Sequence, residues 1–422
     1  MADQIHYNII RARFPALQHR NYRLFFFGQC ISLIGTWMQS VAQAWLVLQL
    51  TQSALKLSLV SMVQFMPMMF FALYAGTLAD RLPKRRVLIF TQTALCVLAA
   101  ILASLTYFKI VQYWQVLCMA FLLGLVNTLD MPARQSFFIE LVGKKDLMNA
   151  IGLNSSIFNL ARILGPSIGG LLIGLVGIAA CFYINAISYL AVITGLWLID
   201  TPFKKTPGEK NAAKGHPFRE IREGIRYIAG KRIIKQPLVL LAFISIFVIN
   251  FNVLIPVFAQ QNLGQNAVGY GFLMTCMGLG SFAAALSIAA RSQSGPSLKH
   301  LIGGAFGVSV FTLLLGLERS YHLACITLVL MGFCVTVFTA LVNSTIQLNS
   351  QDNMRGRVMS VFSLVFLGVT PIGSLYAGNI TEYAGAPFCM IISGVIGIAA
   401  TSYSILALKK NSGESDAEGE TA

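Results

Sequence analysis

The sequence predicts an all-α membrane protein of twelve transmembrane helices in two pseudo-symmetric six-helix bundles. Three observations lead there. Of the 422 residues, 56% are hydrophobic and only 11% are charged, whereas a soluble domain carries about 25% charged residues. The chain therefore lacks the side chains to build a polar surface around a soluble core of this size. Apolar stretches near the roughly 20 residues that one bilayer crossing requires recur twelve times, at roughly 22–49, 55–79, 87–108, 114–138, 150–176, 178–199, 238–262, 268–290, 298–317, 322–347, 358–381 and 387–408. The longest hydrophilic interruption, about 200–236, divides them six and six.

Taken in order, residues 1–21 form a cytoplasmic N-terminal segment. Arg11, Arg13, Arg20 and Arg23 stand at the entrance to a first span too long for a cleaved signal core, so no secretory leader is expected. The N-terminal bundle is placed at 22–200, a cytoplasmic central loop at 201–236, the C-terminal bundle at 237–409 and an acidic cytoplasmic tail at 410–422. In the central loop, PFREIREGIRYIAGKR spaces Phe218, Ile221, Ile225 and Ile228 three and four residues apart, with Arg219, Arg222 and Arg226 among them. This is the pattern of an amphipathic helix lying on the inner membrane surface or of a solvated linker helix. The tail, with Glu414, Asp416, Glu418 and Glu420, is expected to be unstructured. A weak repeat supports the two halves: an offset of about 207 residues lays Arg291 on Lys84 and QDNMRGRVMS on KKDLMNAIGL.

The formal net charge is +15, yet the bases are placed for a membrane. With the N-terminus inside, 27 of the 31 Lys and Arg fall in or beside cytoplasmic segments; Lys56, Lys109 and Arg319 lie near external turns and Arg162 within a span. That asymmetry puts both termini in the cytoplasm and argues against nucleic acid as a partner. The eight cysteines are scattered through apolar stretches without a C-x-x-C pair, as expected of small packing residues and not of disulfides or metal ligands.

Polar side chains inside apolar spans are costly in lipid and turn toward a bundle interior or a watery cavity. In span 1, Gln29, Ser32, Thr36, Ser40 and Gln43 share one helical face, with Trp37 beside them as a stacking surface; in span 10, Thr336, Thr339, Asn343 and Gln347 do the same; in span 4, Asn127, Asp130 and Arg134 form a shorter stripe. These stripes fit a substrate cavity, or else hydrogen bonding between helices. Asp130 is the one acid well inside a span and can meet Arg134 four residues on. It is either a proton carrier or a structural latch on Arg134 or on the 2–3 loop. Arg162 is the one deeply embedded base, suited to an anionic group or to setting the charge balance. In span 5, Pro166 lies between Gly165 and the pair Gly169 and Gly170, which permits close packing or a bend. No H-E-x-x-H, G-x-S-x-G or P-loop is present, and the five histidines lie outside or at the edges of spans. No catalytic residue, metal site or cofactor is therefore expected.

Between spans 2 and 3 lies GTLADRLPKRR, residues 76–86, with Asp80 among Arg81, Lys84, Arg85 and Arg86. Its spacing resembles the signature loop of the major facilitator superfamily. The stretches GQCISLIGTWMQSVAQAWLVLQLTQSALKLSLV, MPARQSFFIELVGKKDLMNAIGLNSSIFNLARILGPSIGG and RGRVMSVF are similar to the branch holding the enterobactin exporter and the macrolide efflux proteins, over about 20–405. The resemblance implies the major facilitator fold, with Gly76, Asp80, Arg81, Lys84 and Arg85 as a conformational latch in which Asp80 sits against the N-terminus of span 11. Gly165, Pro166, Gly169 and Gly170 resemble the antiporter motif of drug/proton exporters. Pro83 and Ala161 depart from the glycines usual in the two motifs.

The resulting expectation is a monomeric multi-pass transporter of the cytoplasmic membrane. It would export a hydrophobic or amphiphilic small molecule, drug- or siderophore-like, by alternating access with protons as the coupling ion. An importer of a small nutrient, a polytopic membrane enzyme and a non-transporting receptor or scaffold are the alternatives.

Overall fold

The computed structural model describes residues 14–200, 217–290 and 295–419. After a turn at Pro15–Gln18 come α1 (Arg20–Thr51), α2 (Ala54–Arg81), α3 (Lys84–Tyr107), α4 (Tyr113–Leu175), α5 (Ile178–Trp197), α6 (Pro217–Gly230) and α7 (Arg232–Phe243), followed by α8 (Phe251–Val257), α9 (Ala267–Ala290), α10 (Leu298–Leu317), α11 (Tyr321–Asn349), α12 (Asp352–Ser363), α13 (Thr370–Ala384) and α14 (Ala386–Gly419). Among the described residues, eleven helical segments are long and apolar enough to cross a bilayer. One of them, α4, is 63 residues long, about 95 Å of helix at 1.5 Å per residue and some three times the hydrocarbon thickness. It doubles back at Gly143, whose φ of 70° and ψ of 177° are open only to glycine. Counted on both sides of that break, the crossings number twelve.

The chain divides into two compact units. The first comprises residues up to Thr51 and Met66–His216. In it α1 packs against α4 and α5, and α3 packs against the same two helices. Its core gathers Tyr22, Phe25, Phe137, Phe138, Val192 and Leu196, with Phe25 edge-on to Phe137 at 5.6 Å. The antiporter-like motif explains how closely α1 and α4 meet. A Cβ on Gly165 would fall 2.9 Å from the Ile34 carbonyl oxygen and nearer still to Trp37, and one on Gly169 would crowd Met38 at 3.1 Å. Pro166 lies inside the continuous second half of α4, where it withholds a hydrogen bond from the Arg162 carbonyl without breaking the helix.

The second unit comprises Gln52–Phe65 and Pro217–Ala422, so the start of α2 groups with it. The Glu382 carboxylate of α13 accepts from the Ser53 hydroxyl at 2.9 and 3.0 Å and from the Leu55 amide at 3.0 Å. An anion thus meets the donor-rich N-terminus of α2. Within this unit α9 packs on α11, and α10 on α11 and α14. Helix α6 forms where its periodicity predicts and docks on α12. Arg357 pairs with Glu223 at 2.7 Å, Gly224 approaches the Arg357 carbonyl, and the Gln351 amide donates to the Tyr227 hydroxyl at 3.1 Å.

One expectation is corrected here. The acidic segment after residue 410, expected to be unstructured, continues α14 as helix to Gly419; extending an established helix avoids the unfavourable nucleation step. Spans 7 and 11 are interrupted by wide turns at Ile244–Val248, Phe258–Asn262 and Leu364–Gly368. The third precedes Pro371, which cannot donate to Leu367 and forces the preceding turn open. The first ends at Asn250, whose amide donates to the Ile246 carbonyl at 2.7 Å and so satisfies a group that the interruption leaves unpaired.

Candidate functional site

The polar residues of the first unit assemble into a buried ladder. Asp130, 3% exposed, accepts four hydrogen bonds. At Oδ1 the donors are the Thr91 hydroxyl at 2.6 Å and the Gln92 amide at 2.9 Å. At Oδ2 they are Arg134 Nε at 3.0 Å and Arg134 Nη2. A carboxylate offers about four lone-pair positions, and here each has a donor. The other Arg134 nitrogen, Nη1, donates to Gln29 Oε1. Spans 1, 3 and 4 are thereby tied through one ion pair, whose removal in part would strand a buried charge.

A second chain of polar groups joins α1 to α5. Asn185 Nδ2 donates to Gln39 Oε1 at 2.6 Å and contacts the Tyr189 hydroxyl at 3.4 Å. The Tyr189 hydroxyl lies 3.5 Å from that of Thr36, which also donates to the Ser32 carbonyl at 2.9 Å. Farther along α1, the Trp37 ring lies under the Arg162 guanidinium, with Cζ 5.9 Å from the ring centroid. Phe158 holds the indole edge-on at 5.6 Å. Among the described residues no carboxylate pairs with Arg162. A cation over an aromatic face is attracted to the ring quadrupole and keeps its hydrogen-bond donors for another partner.

The stripes read from the sequence are thus distributed. Gln29 and Ser32 are buried within the bundle, whereas Thr36, Ser40 and Asn127 are exposed and Gln43 is partly buried. In the second unit, Gln347 is exposed and donates its amide to Asn343 Oδ1. In the 2–3 loop, Arg85 donates to the Leu196 carbonyl at 2.7 Å and the Trp197 carbonyl at 2.9 Å. It caps the C-terminus of α5 with positive charge, as the helix dipole favours. Lys84 is a charged neighbour of Glu140, Arg81 is exposed and Gly76 has open space around it. The Asp80 side chain lies outside the described residues, as do 201–216 of the central loop. Thr91, Gln92, Gln39, Asn185 and Tyr189 escaped the sequence reading, although each is a polar group within an apolar stretch and carried the same signal as the residues chosen.

Solved structures of transporters share this architecture. A POT family transporter in complex with a thioalcohol-conjugated peptide superposes with a TM-score of 0.74 over 93% of this chain and 96% of that one, at 11% identity. The nucleoside transporter NupG does so with a TM-score of 0.72 over 93% and 99%, at 12% identity. Fold and composition together define a multi-pass helical membrane protein with the fold of these two structures. The transmembrane secretion effector family model matches residues 11–421, and the chain belongs to that family of the major facilitator superfamily. Among its relatives, the staphyloferrin A transporter of Staphylococcus aureus is 25% identical over 390 residues, 90% of this chain and 94% of its own. The multidrug efflux pump Tap of Mycolicibacterium fortuitum is 24% identical over 389 residues, 89% and 94%. Macrolide efflux protein A of Streptococcus pyogenes is 19% identical over 386 residues, 90% and 95%. The family is one of transporters, not enzymes, and efflux proteins are prominent among the relatives.

Proposed function

We propose that this transporter exports an amphiphilic small molecule bearing an anionic or electron-rich group from the cytoplasm, by alternating access and in exchange for protons. The observation that carries the reading is Arg162, a guanidinium stacked on Trp37 with no carboxylate partner among the described residues. An aromatic face beside a cation suits a ligand with both an apolar body and a negative or electron-rich group. The efflux relatives support the outward direction, and the likeness of Gly165, Pro166, Gly169 and Gly170 to the antiporter motif supports the exchange. Within the first unit Thr36, Ser40, Gln43 and Asn127 are further substrate-contacting candidates, and within the second unit Asn343 and Gln347 are. The chain works as a monomer in the cytoplasmic membrane with both termini inside. The loop of Gly76, Asp80, Arg81, Lys84 and Arg85 latches the alternation. Asp130 acts as the anchor of Arg134, its lone pairs being already engaged.

The test uses inside-out membrane vesicles with an imposed proton gradient and a panel of anionic, neutral and cationic amphiphiles, following internal pH by dye quenching. Compound-dependent proton release with wild type, absent from empty-vector vesicles and retained by Asp130→Asn, is the expected result. Release lost in a folded Asp130→Asn protein would make Asp130 the coupling group. Accumulation of compounds without proton release would remove the exchange and leave the export. Uptake only in right-side-out vesicles would turn the reading into import.

A further inference from the structure

A groove of ≈ 860 Å³ opens in the second unit between α7 and α14. One wall is a single face of α7, on which Arg232, Lys235, Val239 and Phe243 recur at steps of three and four. The facing wall comes from α14. There Ala399 and Ala400 leave the space open, and Tyr403, 75% exposed, borders it. The groove is graded along its length. Both bases lie in the first turn of α7, and Lys231, 4.9 Å over the Tyr227 ring, stands at the same helix junction. No carboxylate is among the described residues that line it. Beyond Lys235 the α7 wall becomes apolar. From Arg232 to Phe243 the helix rises about 16 Å at 1.5 Å per residue, close to half of a hydrocarbon core about 30 Å thick.

A cationic mouth joined to an apolar trough one leaflet deep matches a molecule with an anionic head and a hydrocarbon tail. A free inorganic anion would use the mouth alone and leave the trough without an occupant. We infer that this groove is a binding site for an anionic phospholipid, its phosphate between Arg232 and Lys235 and an acyl chain along Val239, Phe243 and the two alanines. The lipid comes from the cytoplasmic leaflet, the side to which the charge asymmetry assigns both bases. The site shares no residue with the Arg162 site and does not depend on what is transported.

Native mass spectrometry of the detergent-purified full chain, titrated with phosphatidylglycerol and separately with phosphatidylcholine, tests this. Phosphatidylglycerol should bind the more tightly, and each base removed should lower its affinity about fivefold. Arg232→Gln/Lys235→Gln should therefore bring it down to the level of phosphatidylcholine, while Lys144→Gln/Lys145→Gln, with the same loss of charge elsewhere, keeps the preference. Ala400→Trp, which fills the trough, should weaken both lipids. If the glutamine pair lowers the yield of monodisperse protein, Arg232→Lys, which keeps the charge, should retain the preference. Equal binding of the two lipids by wild type would overturn the assignment. So would a preference untouched by the glutamine pair, or displacement of the lipid by millimolar inorganic phosphate, the mark of a soluble-anion site.

Discussion

Arg162 and Asp130 are both charges within apolar spans, and the surroundings of each decide what its substitution does. Arg162 stacks on Trp37 and has no carboxylate partner among the described residues. Arg162→Gln should lower export of anionic compounds about tenfold, the loss of one charge-assisted contact, and leave neutral compounds near wild type; initial rates in vesicles measure the split, and an equal loss for both would assign Arg162 to folding. Asp130→Asn instead strands Arg134, at a cost of about 3–5 kcal/mol for one half of a buried pair. It should lower the melting temperature and the yield of monodisperse protein, and Asp130→Asn/Arg134→Gln should recover much of that loss, because no charge is then left without its partner. Outside the spans, Glu318 shows the opposite balance. Burial raises its carboxyl above the ordinary value, opposed by the Thr327 hydroxyl that donates to Oε1, and its Oε2 has no partner among the described residues. A raised native pKa means that the folded state holds the proton more tightly than the unfolded chain. The associated stability is full below the unfolded value near 4.5 and is lost as pH rises through the folded value. Glu318→Gln should accordingly raise the melting temperature at neutral pH, and the gain should vanish near pH 4. A gain that is constant with pH would refute the titration.

Among the elements, α4 shows how much a sequence discloses and where it stops. Its two crossings are visible as apolar runs on either side of GKKD, and glycine is the residue such a reversal needs. The six-and-six division, the helix at 217–230 and the crowding of Gly165 and Gly169 likewise follow from spacing. The interruptions in spans 7 and 11 do not, because hydrophobicity is indifferent to whether a turn closes on the fourth or the fifth residue; only Pro371 marks one of them. The polar ladder was half legible for a related reason. Asp130 and Arg134 meet through i,i+4 spacing on one helix, whereas Gln92 and Asp130 are 38 residues apart, a pairing that only the packing of α3 on α4 decides. The close crossing of α1 and α4 carries its own prediction. Gly165→Ala would drive a methyl group into Trp37 and the Ile34 carbonyl. The expected cost is about 1–3 kcal/mol of overpacking, accompanied by a shift in tryptophan emission as the indole moves from beneath Arg162. Gly303→Ala, on α10 with nothing within 4 Å of the added atom, is the matched control and should leave the melting temperature and the emission unchanged.

At the scale of the whole molecule, orientation in the membrane governs the direction of transport, the leaflet facing the α7–α14 groove and the side on which the 2–3 loop acts. The argument for it is electrostatic. Bases next to the spans are retained on the cytoplasmic side during insertion, and 27 of the 31 lie there when both termini are inside. Two short turns of the first half sample opposite faces on this reading. Lys109 stands in the turn between α3 and α4 with φ 58°, and Lys144 follows the reversal at Gly143. One crossing of the bilayer separates the two, so they cannot share a side while that crossing is intact. In a background with all eight native cysteines replaced, Lys109→Cys should react with a membrane-impermeant maleimide on intact cells and Lys144→Cys only in inside-out vesicles. The inverse pattern would place both termini outside and reverse the direction inferred for transport. It would also assign the groove's lipid to the other leaflet, while leaving the fold and the helix-to-helix contacts of each unit as they are. Labelling of both positions from one side would mean that the first half of α4 does not cross the bilayer, and would overturn the count of twelve itself.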